Sequence, residues 1–396
     1  MTAIPLPASE SAAKSASATR RLTYIDTIRT VLIVMVVMVH ASVTYGSVGG
    51  WFYVEPGSDD LTKTLLSLFV TISQAFFMGL FFFISAYFTP GSIDRKGVGT
   101  FVKDRLFRLG VPLVLFSVIL AKYPLYIYYS RNAGYTGTLW QFATENLFHY
   151  LDAGPTWFLF ALLVLGGTYS LWRLVRRGKA PLGSGLAAPT IPTLLGFGLV
   201  MAASMLLTAQ ISPIGDFNPL FGFIYLQPAF FPQYVMMFAA GILACRNDWL
   251  KRIDGRQLRV WKWVAAGCAV TLPVIYVAGG AAAGQFEAFI TGFAWQSLAL
   301  NLWIALTCVS TCMTLILWLR EREVKHQPGT LGREMGASAY AAYIIHPVVL
   351  VAITSNMSGL AIYPLLKFAI AVPLAVSASF ALGWLLRQIP GAKAIL

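Results

Sequence analysis

Long apolar runs separated by short polar connections recur along the whole chain, at 24–46, 64–88, 109–129, 155–173, 190–209, 229–245, 260–279, 293–319, 337–355 and 360–386. Each approaches or exceeds the ~20 residues that an α-helix needs to cross hydrocarbon. A bilayer core offers no water to unpaired backbone groups, so such runs must be helical. The pattern predicts an all-α polytopic membrane protein with about ten transmembrane helices. The eighth run is the least sharply bounded, because apolar character begins near Phe286 and leaves room for an interfacial turn. Connections this short leave no space for a soluble domain. The expected organisation is one transmembrane domain over 21–390, preceded by an Ala/Ser/Pro-rich tail (1–20) expected to be disordered and followed by a short tail (391–396). The first run is too long for a cleaved signal and lacks a clear small-residue cleavage site.

Polar residues interrupt the first run at two informative places. Arg29 lies near its start and His40 deep inside it, eleven positions on. At ~100° per residue this spacing is within about 20° of a whole number of turns, so both side chains fall on one helical face, about 16 Å apart along the axis. Ionisable groups at such depth face a bundle interior or a watery cavity and mark function. Each also has a plainer reading. Asp26, three residues before Arg29, can simply pair with it, and His40 can be a hydrogen-bonding contact between helices. Asp26 lies about 21 Å from His40 along the helix, so any partner of His40 must come from another span.

Composition agrees with the pattern: 57% of residues are hydrophobic and 11% charged, against ~25% charged in soluble chains. Most of the 29 Lys and Arg fall in the first tail, in the connections after even-numbered spans and at the C-terminus. By the positive-inside rule this places both termini in the cytoplasm. The net charge of +13 is therefore a topology signal and not a sign of nucleic-acid binding. The same basic clusters would attract anionic lipids at the inner face. Cys245, Cys268, Cys308 and Cys312 lie in or beside spans, where buried thiols pack as small hydrophobes more often than they form disulfides or hold metal. No metal site and no permanently bound cofactor is expected.

Further candidates lie in later spans. Arg105 and Arg108, at i and i+3 before span 3, present guanidinium forks suited to phosphate, although positive-inside flanking would also place them there. Tyr340, Tyr343 and His346 form a polar stripe on span 9, and Pro347 frees the Tyr343 carbonyl from its helical hydrogen bond. The loop 130–155 ends beside His149, Asp152 and Trp157. It could hold a sugar ring or form an interfacial aromatic belt. The aromatic, proline-rich stretch 213–232 poses the same choice and could dip back into the membrane. Gly280-Ala-Ala-Ala-Gly284 fits a weak small-residue packing motif.

Four blocks together resemble the acyltransferase-3 family of integral-membrane acyltransferases, and within it the glucan-modifying branch of periplasmic glucan succinyltransferases. They are Tyr24-Ile-Asp26-x-x-Arg29 followed by His40, Phe81-Phe-Phe-Ile-Ser-Ala-Tyr-Phe-Thr, Arg105-x-x-Arg108-x-Gly-Val-Pro, and Thr156-Trp157-Phe-Leu with Tyr343-x-x-His346-Pro. The chain departs from the family at Ala86, where glycine is usual, and at Thr156, where histidine is frequent. The resemblance implies functional roles for Arg29, His40, Arg105 and Arg108. It implies a cell inner-membrane O-acyltransferase that uses cytosolic acyl-CoA, acetyl or succinyl, as donor substrate and a hydroxyl of an extracytoplasmic glycan as acceptor. His40 would then be a base or an acyl carrier. His346 is a second catalytic candidate, and Tyr343 and Trp157 are candidate substrate contacts. The rival class is a secondary transporter or flippase for a glycan, lipid or small anion. A midplane carboxylate and an internal repeat, features of many such carriers, are not evident.

Overall fold

The computed structural model describes residues 22–176, 183, 185–325 and 329–395. The tail 1–20, with its expected disorder, and residue 396 lie outside the described residues. The chain runs α1 (Thr23–Thr44), α2 (Asp60–Gln74), α3 (Phe77–Tyr87), α4 (Thr89–Lys96) and α5 (Val98–Arg105). Two π-helical turns, Leu106–Gly110 and Phe116–Leu120, flank α6 (Val111–Leu115) and lead into α7 (Lys122–Asn132). Next come α8 (Leu139–Glu145), α9 (Trp157–Val175) and α10 (Ile191–Ala209), then the hairpin β1 (Asn218–Leu220) and β2 (Ile224–Leu226). The rest is helical: α11 (Phe231–Arg246), α12 (Trp249–Arg252), α13 (Gln257–Ala278), α14 (Glu287–Ile290), α15 (Trp295–Lys325), α16 (Thr330–Asn356) and α17 (Pro364–Leu386). Ten stretches of this helical chain are long and apolar enough to span a bilayer.

Helix α1 occupies the centre, packed against α16, α15, α2, α17 and α3. Its near-continuous Val/Ile/Leu sequence fits that position, since a helix apolar all round is buried. Its first N–H groups lack intrahelical acceptors. The Glu323 carboxylate on α15 takes them, accepting from Thr23 N at 3.0 Å and Tyr24 N at 3.2 Å. An anion at this end also meets the positive pole of the helix dipole.

Close helix contacts fall at small residues. A Cβ at Gly241 on α11 would collide with the Phe83 carbonyl oxygen on α3 and stand 2.8 Å from the Ala86 Cβ. Ala86 therefore faces a glycine across this close contact. The Gly280–Gly284 segment differs from expectation. It forms a 3-10 turn, Ala281–Ala283, bracketed by glycines at φ +79° and +81°. It is a connection and not a helix-packing stripe, because both flanking residues need the left-handed conformation. The short α14 follows it and separates the apolar residues near Phe286 from the long α15. The stretch 213–232 carries the β hairpin and a 3-10 turn, Pro228–Phe230.

Candidate functional site

Arg29 and His40 line one large cavity of about 2190 Å³, as their shared helical face requires. Arg105, Arg108, Tyr343 and Trp157 line it too. Its two ends differ in chemistry. One is walled by Asp26, Arg29, Arg105 and Arg108, the other by Tyr150, Asp152 and Phe221.

At the arginine end, the Arg29 guanidinium lies 5.0 Å above the Phe88 ring and 3.4 Å from the Asp26 carboxylate. Arg105 stacks over Phe101 at 5.2 Å and reaches the Thr89 hydroxyl at 3.4 Å. Such aromatic contacts hold a guanidinium in place without occupying its N–H donors, and for Arg105 the Thr89 hydroxyl takes one of them. Arg108 sits within a π-helical turn, a local widening frequent at functional positions. Pro112 lacks the N–H that would bond the Arg108 carbonyl four residues back. The Tyr340 hydroxyl donates to that carbonyl at 2.5 Å, which ties the backbone of the arginine pair to α16.

The deeper part of the site is a pair of imidazoles. His40 Nδ1 and His346 Nε2 are 3.0 Å apart, with their rings inclined by 8°. The partner of His40 thus comes from another span, 306 residues away. The Trp51 indole stacks on the His40 ring, centroid to centroid 4.0 Å. His346 is fully buried and stands behind His40, not on the cavity wall. Its Nδ1 lies 2.6 Å from the Tyr343 carbonyl oxygen, the one that Pro347 releases from the helix ladder.

That carbonyl fixes the tautomers. It can only accept, so His346 Nδ1 must carry a proton. Among the described residues no carboxylate is paired with either ring, and a buried unpaired imidazolium would be costly. A neutral His346 then presents a lone pair at Nε2 and accepts from His40 Nδ1–H. His40 is left with a lone pair on Nε2, the nitrogen that His346 does not engage. The chain carbonyl–His346–His40 ends on a basic nitrogen of a residue that lines the cavity.

The opposite end is built from loops. Lys122 is buried and donates to the Asn146 and His149 carbonyls, both at 2.8 Å. Ala153 N–H donates to the Phe223 carbonyl of the hairpin at 2.8 Å, and the Tyr343 hydroxyl donates to the Pro155 carbonyl. Gly154, at φ +44°, turns the chain where a Cβ would press on Phe52 and Phe116. Burial pushes the Asp152 carboxyl up to about 6, against the opposing pull of the Gly154 N–H at 2.6 Å. Trp157 packs in an aromatic cluster, 5.7 Å from Tyr234 and 6.4 Å from Phe158.

Trp51, Lys122 and Glu323 carry no periodic signal in the sequence and were not singled out by it. The only hint for Trp51 is its place after Gly49-Gly50, in the first connection beyond His40. The four cysteines are free, and Cys268, Cys308 and Cys312 are buried. Among the described residues no group of three or more His, Cys, Asp or Glu side chains is placed to hold a metal.

A helical bundle with ten stretches long and apolar enough to span a bilayer, enclosing a cavity lined by arginines and by His40, is the architecture of a multi-pass membrane protein. Residues 22–386 match the acyltransferase-3 family, described as an acyltransferase domain; the chain belongs to this family, and it is an acyltransferase. It is similar to Glucans biosynthesis protein C of Salmonella schwarzengrund (strain CVM19633), 24% identical over 360 residues that cover 85% of this chain and 86% of the relative. Glucans biosynthesis protein C of Salmonella agona (strain SL483) is 23% identical over 344 residues, covering 83% and 82%. No solved structure matches the chain. Family membership decides between the transferase and the carrier in favour of the transferase.

Proposed function

We propose that this protein moves an acetyl or succinyl group from cytosolic acyl-CoA to a hydroxyl of an extracytoplasmic glycan, within the cell inner membrane. The observation that carries this reading is a single cavity with Arg105 and Arg108 at one end, His40 in its depth and an aromatic, carboxylate-bearing mouth at the other. The names of the Salmonella relatives point to a glucan as acceptor.

CoA phosphates fit the arginine end, where Arg105, Arg108 and Arg29 supply charge-assisted, forked donors. The pantetheine arm then follows the Arg29–His40 face of α1, about 16 Å of rise, and brings the thioester to the histidine. The acceptor hydroxyl enters from the loop end. His40 Nε2 takes its proton as the oxygen attacks the thioester carbonyl. The new C–O bond forms, the C–S bond breaks, and the CoA thiolate leaves and takes the proton from His40. Neutral His40 is restored, so the cycle balances. His346 acts as a positioning residue: it holds the His40 tautomer and stabilises the imidazolium that forms between the two steps. Trp51 fixes the ring plane.

The test uses the purified full chain in lipid nanodiscs with acetyl-CoA or succinyl-CoA and a β-glucan oligosaccharide. CoA thiol release and the mass of the modified sugar are followed. His40→Ala should abolish acylation, and Arg105→Ala should raise the KM for acyl-CoA. Full activity in His40→Ala would overturn the assignment. The added mass names the acyl group.

A further inference from the structure

Beyond the histidine pair, the loop end of the cavity carries a second group of side chains that the transfer chemistry leaves unused. Tyr129, Tyr150, Asp152, Tyr225 and Phe221 all line it. The Tyr129 and Tyr150 rings are 4.5 Å apart at 41°. Tyr150, Tyr225 and Asp152 all lie within electrostatic reach of the Tyr129 phenol. Three separate chain segments therefore converge here: the end of α7, the loop before α9, and β2.

Two features set this group apart from an ordinary interfacial aromatic belt. First, only three non-glycine residues among those described have positive φ, and two of them are Tyr150 at +46° and Phe221 at +54°. Such backbone strain is held in place only where the surroundings over-determine it, and it clusters at ligand sites. Both strained residues present their rings, half or more exposed, at the same mouth. Second, Asp152 is held in a fixed pose. Its Oδ1 accepts from Gly154 N–H at 2.6 Å, and the next residue, Ala153, is bonded to the hairpin. A belt facing lipid gives no reason to keep a half-buried carboxylate among tyrosines.

Planar rings beside one immobilised carboxylate suit a hexose. The C–H face of the sugar stacks on an aromatic ring, and the carboxylate accepts from vicinal hydroxyls as a charge-assisted partner. The Asp152 carboxylate would repel a sulfated or phosphorylated sugar, and the Lys122 ammonium beside Tyr150 is already engaged by backbone carbonyls. Resting on the acyltransferase reading above, we infer that this mouth is the acceptor subsite, that it binds a neutral hexose unit through Tyr150, Tyr225 and Asp152, and that it presents another hydroxyl of the chain towards His40.

Two measurements on the full chain in nanodiscs test this. The first is binding without any acyl-CoA. A linear β-glucan oligosaccharide should bind the wild type, and Asp152→Asn and Tyr150→Ala should each weaken binding at least tenfold by titration calorimetry. Dextran sulfate of matched length should bind no better than the neutral oligosaccharide. The second is steady-state transfer, where both variants should raise the KM for the oligosaccharide at least tenfold while the KM for acetyl-CoA does not follow. Absence of wild-type binding, unchanged binding in both variants, or an equal rise in both KM values overturns the subsite. Oligosaccharide binding that depends on Asp152 without any acyl transfer from acetyl- or succinyl-CoA would instead sink the proposed donor chemistry and leave the subsite standing.

Discussion

His346 gives the sharpest test of the histidine pair, because its role as a positioning group and as a proton acceptor predict different outcomes. In His346→Ala, the 3.0 Å hydrogen bond to His40 Nδ1 is lost and a buried N–H is left unpaired. An unsatisfied buried donor costs ~1–3 kcal/mol, which at ~1.4 kcal/mol per decade corresponds to about ten- to a hundredfold in rate. Moving the proton to Nε2 avoids that cost but removes the base. With its proton on Nε2, His40 presents no base to the acceptor, and a mis-set imidazole tautomer is worth up to ~10⁴ in kcat. The expected fall in kcat for His346→Ala therefore lies between about 10 and 10⁴, towards the upper end where the tautomer shifts, with little change in the KM for acyl-CoA.

His346→Gln separates the two roles. Glutamine carries an amide oxygen at the reach of Nε2 and can accept from His40 Nδ1–H, but it cannot titrate. Rescue to within about tenfold of wild-type kcat is expected. Thiol-release kinetics on purified protein, with thermal unfolding as a check on folding, decide the matter. An alanine variant near wild-type kcat, or a glutamine variant as inactive as alanine, refutes the reasoning. The latter outcome would make the proton of His346 itself the essential feature.

Other outcomes follow from the same geometry. Arg105→Ala and Arg108→Ala should each raise the KM for acyl-CoA by roughly tenfold or more, since a charge-assisted hydrogen bond is worth ~1.5–3 kcal/mol, with wild-type KM rising with salt; equal KM values would remove the phosphate cradle. Lys367 and Glu55 form a buried pair at 2.5 Å, so Lys367→Met should cost about 3–5 kcal/mol by stranding a charge, and thermal unfolding of Lys367→Met with Glu55→Gln should recover most of it. Gly241→Ala should destabilise by ~1–3 kcal/mol, because the added Cβ strikes α3; helix propensity alone predicts a gain of up to ~1 kcal/mol, so the sign of the Tm shift decides. The Asp152 carboxyl is raised to about 6 from 3.8. Its contribution to stability is thus full below pH 3.8 and lost as pH rises through about 6, and Asp152→Asn should flatten the Tm difference between pH 5 and pH 7.5.

Local chemistry carried the sequence reading far. The ten spans follow from run length, because a bilayer permits little else. The shared face of Arg29 and His40 follows from helical periodicity, and the Asp26–Arg29 contact from i, i+3 proximity. Non-local contacts did not show. His346 meets His40 across 306 positions, and nothing in either span specifies which other helix α1 will face at that depth. The loop end is less legible still. Its geometry rests on Gly154, on Lys122 gathering three carbonyls and on the short hairpin, none of which repeats with a period. The prolines were half legible: Pro347 announced a freed carbonyl, but the side chain that takes it became visible only in three dimensions.

That half-legible signal explains the polar stripe of α16. Tyr343 is a candidate substrate contact and His346 a catalytic candidate by sequence, yet Tyr340, Tyr343 and His346 each direct a donor to a backbone carbonyl: Arg108, Pro155 and Tyr343 respectively. Two of these carbonyls are free because a proline stands four residues ahead. The stripe, spaced about 9 Å along one helix, therefore pins three elements in register: the turn bearing the arginine pair, the loop entering α9 ahead of Trp157, and the imidazole behind His40. A hydrogen bond from a tyrosine to a neutral carbonyl contributes only ~1 kcal/mol to stability, but it holds the bonded atoms within a few tenths of an ångström. Transfer between groups that arrive from opposite ends of a cavity needs that registration more than it needs another contact, because sub-ångström alignment of reacting atoms governs the rate. The helix that carries the polar stripe is thus the frame of the site, and His40, on the apolar central helix, is the imidazole of the pair that lines the cavity.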